Sequence, residues 1–241
     1  MFNEFLNQID KYNLKLSETK IDLIKKYYKY LVDVNSKINL AGKMDEETFY
    51  LEHLSDSLSF NLINLRDHKI LETYKLLDIG TGGGFPAVPL AIVYENSSFS
   101  LTESIKKKAR FLSSLIEEIN LCNANVFPER VEIIARQSCH REKYDIVTSR
   151  AVANINTLLE YAIPFLKMGG IFVAYKTEKE LEEIKSLSRV FKIFGVSFET
   201  NYEYTLKDKH LKRELLVFKK VVKTSDDFPR EPGVAAKRPI K

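Results

Sequence analysis

Along the first 68 residues apolar side chains recur at helical spacing, whereas from residue 74 onward they gather into short, nearly unbroken runs. Leu16-Ser17-Glu18-Thr19-Lys20 reads as a helix start with Ser17 as its cap. Behind it Ile21, Ile24, Tyr28, Leu31, Val32 and Asn35 follow one face. A second helix is predicted from Asp45 to Leu65, with Leu51, Leu54, Leu58 and Leu62 on one side. The run Tyr74–Ile79 stops at glycines and suits a buried parallel strand. A helix over Pro86–Tyr94, a strand over Ser98–Thr102 and a long helix over Ser104–Asn120 follow, the last with Ile105, Ala109, Leu112, Ile116 and Ile119 facing inward. Val131–Ile134 and Tyr144–Thr148 are the next predicted strands; after a helix over Ile155–Leu166 comes the strand Ile171–Tyr175.

Strands alternating with helices imply right-handed crossovers and a parallel sheet covered on both faces. The final third departs from this pattern. Glu178–Phe194 reads as helical, and Ser197–Tyr204 and Glu214–Val222 as two strands close together, which suggests an antiparallel C-terminal edge. The expected fold class is therefore α/β, a Rossmann-like sheet with an N-terminal helical extension. Residues 1–68 form the extension, 69–223 the main domain and 224–241 a basic tail.

Bulk properties narrow the class without naming a function. A chain of 241 residues with 44% hydrophobic content can fill one α/β core. No apolar run approaches the ~20 residues that span a bilayer, and the first residues lack the basic flank and apolar stretch of a secretion signal. Cys122 and Cys139 stand alone, as two free thiols in a reducing cytosol would. A net charge of +4 does not by itself argue for a polyanionic partner. Its distribution is uneven: Lys219, Lys220, Lys223, Arg230, Lys237, Arg238 and Lys241 crowd the end of the chain, as a solvated tail or as a contact surface.

Candidate chemistry concentrates in Leu77-Asp78-Ile79-Gly80-Thr81-Gly82-Gly83-Gly84-Phe85-Pro86. Gly80, Gly82 and Gly84 let the chain turn sharply and let a ligand approach bare backbone. A dinucleotide fingerprint would need glycine where Phe85 stands. The spacing is instead acid-x-Gly-x-Gly-x-Gly, with Asp78 at the strand tip, as expected for S-adenosylmethionine, whose ammonium Asp78 would hold directly or through water. Glu103, directly after the second strand, can accept from both ribose hydroxyls or favour the N-terminus of the next helix; the two roles are compatible.

These segments resemble the RsmG (glucose-inhibited division protein B) methyltransferases, in the same order along nearly the whole chain. The resemblance rests on Asp78–Pro86, Lys107-Lys108-Ala109-Arg110-Phe111-Leu112, Tyr144–Ala151, Asn39-Leu40, His53–Leu58, Val173–Lys176 and Phe228–Ile240. It implies a class I methyltransferase sheet, S-adenosylmethionine as cofactor, and methylation of guanine N7 in 16S ribosomal RNA. The implied partner is that RNA or the small ribosomal subunit, in the cytoplasm, with no membrane and no DNA. By resemblance Gly80, Phe85 and Arg150 belong to the cofactor site. The family's Ala-Glu pair after an arginine falls on Gln137-Ser138, following Arg136, and its Asp-Ser after the second strand on Glu103-Ser104.

Guanine N7 carries a lone pair and no proton, so attack on a sulfonium methyl needs no general base. Alignment and electrostatics should do the catalysis, and the candidates for that work are Arg150 and Lys176 at strand tips. For Arg150 the alternative is a structural ion pair, and for Lys176 a solvated side chain. His53, Asp56 and Ser57, in the helical extension, either cap a helix or pack against the main domain, or else face RNA. Arg136, Arg150, Lys176 and the Lys237-Arg238 pair are candidate RNA contacts. Two other functions fit the same features: methyl transfer to a small molecule or protein, and a non-enzymatic RNA-binding module for ribosome assembly.

Overall fold

The computed structural model describes residues 1–38, 44–63, 67–68, 72–206 and 211–241. Asn39-Leu40 and Leu65, the expected end of the second helix, lie outside them. Seven strands form one sheet: β1 (Lys75–Ile79), β2 (Ser98–Thr102), β3 (Ala124–Phe127), β4 (Tyr144–Arg150), β5 (Leu166–Lys176), β6 (Val196–Leu206) and β7 (Leu211–Lys220). Their order is β3-β2-β1-β4-β5-β7-β6. The five strands from β3 to β5 are parallel, and β7 and β6 complete the sheet antiparallel. The chain runs outward from β1 to β3, then returns to place β4 on the other side of β1. That reversal opens a crevice at the carboxyl ends of β1 and β4, where ligands bind in such sheets.

Alternation along each central strand builds two cores. Leu76, Ile146, Ile171, Val173, Leu215 and Val217 point to one face, where they meet the helices Ala87–Val93 and Lys106–Glu118 and the N-terminal helices. Leu77, Val147, Phe172, Ala174, Leu216 and Phe218 point to the other, beneath the helices Ile155–Ala162 and Ser188–Phe194. A strand buried on both sides needs apolar residues at every position, which is why these segments read as continuous runs. Phe5, Ile24, Tyr27, Leu31 and Phe49 join the first core, so the N-terminal helices share one apolar interior with the sheet. Among the described residues no helix is long and apolar enough to cross a membrane.

Several expectations are corrected. Val131–Ile134 is a helical turn, and the strand in that region is Ala124–Phe127. Four residues cannot distinguish the two periods. The helical turn buries Ile134 and Ala135 and lets the Glu132 carboxylate meet Arg130 and the Gly233 N–H. Ile105 is 52% exposed rather than inward, because the helix begins only at Lys106. The second helix is not uniform: Thr48–Leu54 winds as a π-helix, Ser55–Leu58 as α and Ser59–Leu62 as 3-10. Glu178–Phe194 likewise breaks into Glu178–Glu183, Ile184–Ser186 and Ser188–Phe194. The end of the chain is docked rather than loose. Arg230 pairs with Glu160 at 2.6 Å, the Thr157 hydroxyl donates to Ala235 O, and Asn156 Nδ2 donates to Ile240 O.

Candidate active site

β1 delivers Asp78 and the glycine loop to the crevice. Gly80, Gly82 and Gly84 all take positive φ, at 68°, 60° and 111°. At Gly84 a side chain is excluded by packing as well: a Cβ would lie 2.5 Å from the Tyr27 hydroxyl, which donates to Gly83 O at 2.7 Å. The N-terminal helix Glu18–Ile38 thereby clamps the loop from outside. Gly82 is different. A Cβ there would meet Gly80 O at 3.8 Å and nothing nearer, so its backbone faces open space.

Asp78 is fully buried and incompletely partnered. Thr148 Oγ1 donates to its Oδ1 at 2.7 Å, while Oδ2 has no hydrogen-bond partner of sound geometry. Burial pushes the carboxyl up to about 7; the Thr148 and Thr81 hydroxyls and the Arg150 charge pull the other way, and Glu103 adds to the rise. Glu103 is buried at the end of β2 and holds the loop by its carboxylate. Oε2 accepts from Gly82 N at 3.1 Å and Oε1 from Ile105 N at 2.8 Å. Both expected uses of this acid begin from that position: it braces the next helix, and each oxygen keeps a second lone pair.

Two cavities open near the carboxyl ends of β1 and β4, the first of them reaching the loop at Gly80. One, of about 200 Å³, runs over Ile79, Gly80, Thr102 and Ser104 to Glu129–Glu132, with Val152, Ala153, Tyr161 and Ala236 on its far side. Gln137 and Ser138 are absent from its lining and sit exposed in the turn beyond. Taking 131–134 as a strand displaces the expected strand tip; the true tip follows Phe127. Arg130-Val131-Glu132 comes to the cleft instead, with an acid two places after an arginine, a signal already present in the sequence. Glu132 is buried and bonded to Arg130 at 2.7 Å, which holds its carboxyl below the usual range against the opposing effect of burial.

The second cavity, about 310 Å³, lies beyond the turn that follows β4. Arg150 enters it with both terminal nitrogens of its guanidinium engaged. Nη1 meets Asp56 Oδ2 at 2.8 Å and Nη2 meets His53 Nδ1 at 3.1 Å, while the group lies 5.1 Å above the Phe85 ring. A guanidinium only donates, so His53 Nδ1 accepts and its proton sits on Nε2. Burial, with the Arg150 charge, lowers the His53 pKa to about 4. Asp56 accepts a second bond from the Tyr204 hydroxyl at 2.6 Å. The ion pair weighed as an alternative for Arg150 is therefore real, and its partner is in the extension. Lys176 is not solvated: it is 7% exposed, donating to Ala153 O at 2.6 Å and Glu180 Oε1 at 3.3 Å. Arg213 lines the same cavity.

The remaining candidates are scattered. Arg136 donates to Pro229 O at 2.6 Å and is spent partly on the docked end of the chain. Lys237 and Arg238 are exposed beside Ala236, at the rim of the first cleft rather than the second. Sequence reasoning missed Tyr27, Tyr204 and Glu160, ordinary core residues until the fold brings them to a charge or a loop.

Comparison with known proteins agrees with this architecture. The sequence pattern of the GidB family, described as rRNA small subunit methyltransferase G, matches residues 20–216. A protein named ribosomal RNA small subunit methyltransferase G from Lysinibacillus sphaericus (strain C3-41) is 34% identical over 238 residues, 99% of this chain and 98% of its own length. Its namesake from Carboxydothermus hydrogenoformans is 36% identical over 229 residues, 95% of each chain. Among solved structures, the antibiotic-resistance methyltransferase Kmr matches with a TM-score of 0.51 at 13% identity, over 66% of this chain and 92% of its own. That likeness establishes the fold, a class I methyltransferase sheet. With the match spanning most of its length, the chain belongs to the rRNA small subunit methyltransferase G family.

Proposed function

We propose that this protein transfers the methyl group of S-adenosylmethionine to N7 of a guanine in 16S ribosomal RNA of the small subunit. The observation that carries the reading is the pair of cavities on either side of Ala151–Ala153, one lined by Ile79 and Gly80 directly after Asp78 and the other by Arg150, Lys176 and Arg213. The first cavity fits S-adenosylmethionine in its chemistry. Ile79, Val131 and Tyr161 offer apolar and aromatic surface for adenine; in the adjoining strand tip and loop, Gly82 leaves its backbone open and Asp78 Oδ2 lacks a hydrogen-bond partner of sound geometry. Bound there, the cofactor supplies an electrophilic methyl group on a sulfonium sulfur.

The chain's own groups bind and orient. Asp78 takes the ammonium, and Glu103 shapes the loop through the Gly82 N–H while offering lone pairs to ribose hydroxyls. Lys176 and Arg213 receive phosphate or the guanine O6. Asp56 neutralises Arg150, so the pocket presents a guanidinium beside the purine without a full uncompensated charge there. This matters because the purine becomes cationic on methylation. No residue has to accept a proton from N7. His53 accords with that: neutral at pH 7 and occupied at Nδ1, it positions Arg150. A ribosomal substrate implies work in the cytoplasm.

The test is radiolabelled methyl transfer to small-subunit RNA and to small subunits that lack the modification, followed by mapping of the labelled nucleoside. Label in 7-methylguanosine supports the reading. Saturable cofactor binding with no transfer to either substrate rejects it.

A further inference from the structure

Lys107-Lys108-Ala109-Arg110-Phe111-Leu112 has no part in either cavity described above. It opens the helix Lys106–Glu118, whose first turn carries lysines and no acidic residue. Cations at a helix N-terminus oppose the macrodipole, so this arrangement weakens the helix locally. The same side chains border an open hollow of about 540 Å³, formed by Tyr30, Val34, Lys106, Lys107, Arg110 and Phe111. Tyr30 lies nearly parallel on the buried Phe111, with ring centroids 5.9 Å apart and 27° between planes, and is itself half-buried. Lys106, Lys107 and Arg110 are exposed, and no ion pair engages them among the described residues. Lys26, one turn before Tyr30 on the helix Glu18–Ile38, is exposed as well.

The hollow and the first cleft are lined by residues two positions apart in the chain. Ser104 lines the cleft, Ile105 is exposed between, and Lys106 lines the hollow. We propose that this face is a second RNA-contact surface, in which Lys106, Lys107 and Arg110 take backbone phosphates and Tyr30 stacks on an unpaired base of the strand leading to the methylation site. Charge complementarity selects the partner, since three unpaired cations around one held aromatic ring match a phosphodiester chain with accessible bases. The inference rests on the RNA reading given above and adds where that RNA lies.

The experiment compares the wild type with the triple variant Lys106→Ala/Lys107→Ala/Arg110→Ala, with Tyr30→Ala, and with a control triple at exposed Lys185, Arg189 and Lys192 that removes equal charge elsewhere. Binding to a protein-free 16S RNA transcript is measured across a salt series, together with cofactor binding by calorimetry and KM and kcat for transfer to small subunits. The expected result for the first triple is at least a tenfold loss of RNA affinity at low salt. Its salt slope should flatten by about two, at roughly 0.7–0.9 for each phosphate no longer neutralised. KM should rise while kcat and cofactor affinity stay near wild type. Tyr30→Ala should lose affinity without changing the slope, and the control triple should change affinity less than threefold. Unchanged affinity and slope in the first triple, while the wild type still methylates RNA, overturns this inference and leaves the proposed function standing. An equal loss in the control triple overturns it too, as does a loss seen with intact subunits but not with the transcript, which would assign the face to a protein partner. A wild type that neither binds nor methylates RNA defeats both.

Discussion

Asp78 and Asp56 are both buried carboxylates near the carboxyl ends of β1 and β4, yet their surroundings are opposite. Asp78 is left with one oxygen that has no hydrogen-bond partner of sound geometry, and burial raises its pKa to about 7. Asp56 has both oxygens bonded, one to Arg150 and one to Tyr204. The strand tip beside the first cavity is thus left short of a partner, which is the condition for taking a ligand, because a buried polar group left alone is costly. The second cavity is built around a completed network, which is the condition for holding one side chain in one place. Removing a group from either region should therefore have effects of different kind and sign.

The largest effect is expected from Arg150→Ala. It leaves Asp56 buried without its cation, at a cost of about 3 kcal/mol or more, readable as a lower urea midpoint. Methyl transfer should fall about 100-fold, the kinetic equivalent of a similar energy. Adding Asp56→Asn should recover part of the stability, since no unpaired charge then remains, but none of the activity. If Arg150→Ala unfolds like the wild type, the pocket is not a closed network.

Gly84→Ala comes next. Positive φ and the Tyr27 hydroxyl both oppose a Cβ, and strain of this kind costs about 2 kcal/mol. A fall in thermal midpoint should accompany weaker cofactor binding, because the clamp and the loop are one unit. Gly82→Ala has the same sign of φ but open space, so it should lose less stability, and the gap between the two variants measures the packing contribution.

Asp78→Asn sharpens the contrast by its sign. Cofactor affinity should drop about tenfold, as expected for one charge-assisted hydrogen bond, while stability without cofactor holds or rises. The native carboxyl, with its raised pKa, keeps a proton that the unfolded chain has released between pH 4 and 7. Its contribution to stability therefore falls as pH rises through that window. Cofactor affinity should climb over the same window and level off above 7 in the wild type, and lose this dependence in the variant. Calorimetry at pH 5.5, 6.5 and 7.5 decides it.

The smallest effect belongs to His53. A histidine pKa lowered from 6.5 to about 4 means the unfolded chain binds the extra proton between those values, so stability rises with pH there. His53→Gln should make unfolding less acid-sensitive between pH 4 and 6.5, the opposite trend to that of Asp78. Thermal unfolding of the two variants across pH separates the cleft from the pocket.

Some of this organisation is readable along the chain. The switch from helical spacing to apolar runs near Tyr74, the glycines after Asp78, Glu103 at the end of β2 and the antiparallel β6–β7 edge all depend on short-range pattern. Period and turn chemistry belong to neighbouring residues, so they survive reading in one dimension. Some errors fall where the pattern is too short to carry a period. Val131–Ile134 is one such place: four residues fit a strand or a helical turn equally, and only the fold shows that Glu132 lines the cleft while Gln137 and Ser138 lie outside its lining.

What the chain determined by itself, then, was the alternation of elements, the sheet buried on two sides, and the loop and acids at the strand tips, together with a family likeness carried by those same segments. What tertiary structure alone decided was which charges are satisfied. Arg150 and Asp56 stand 94 positions apart, and Arg230 and Glu160 stand 70 apart. No local periodicity relates such residues; the path of the chain brings them together, and desolvation makes the presence or absence of a partner decisive.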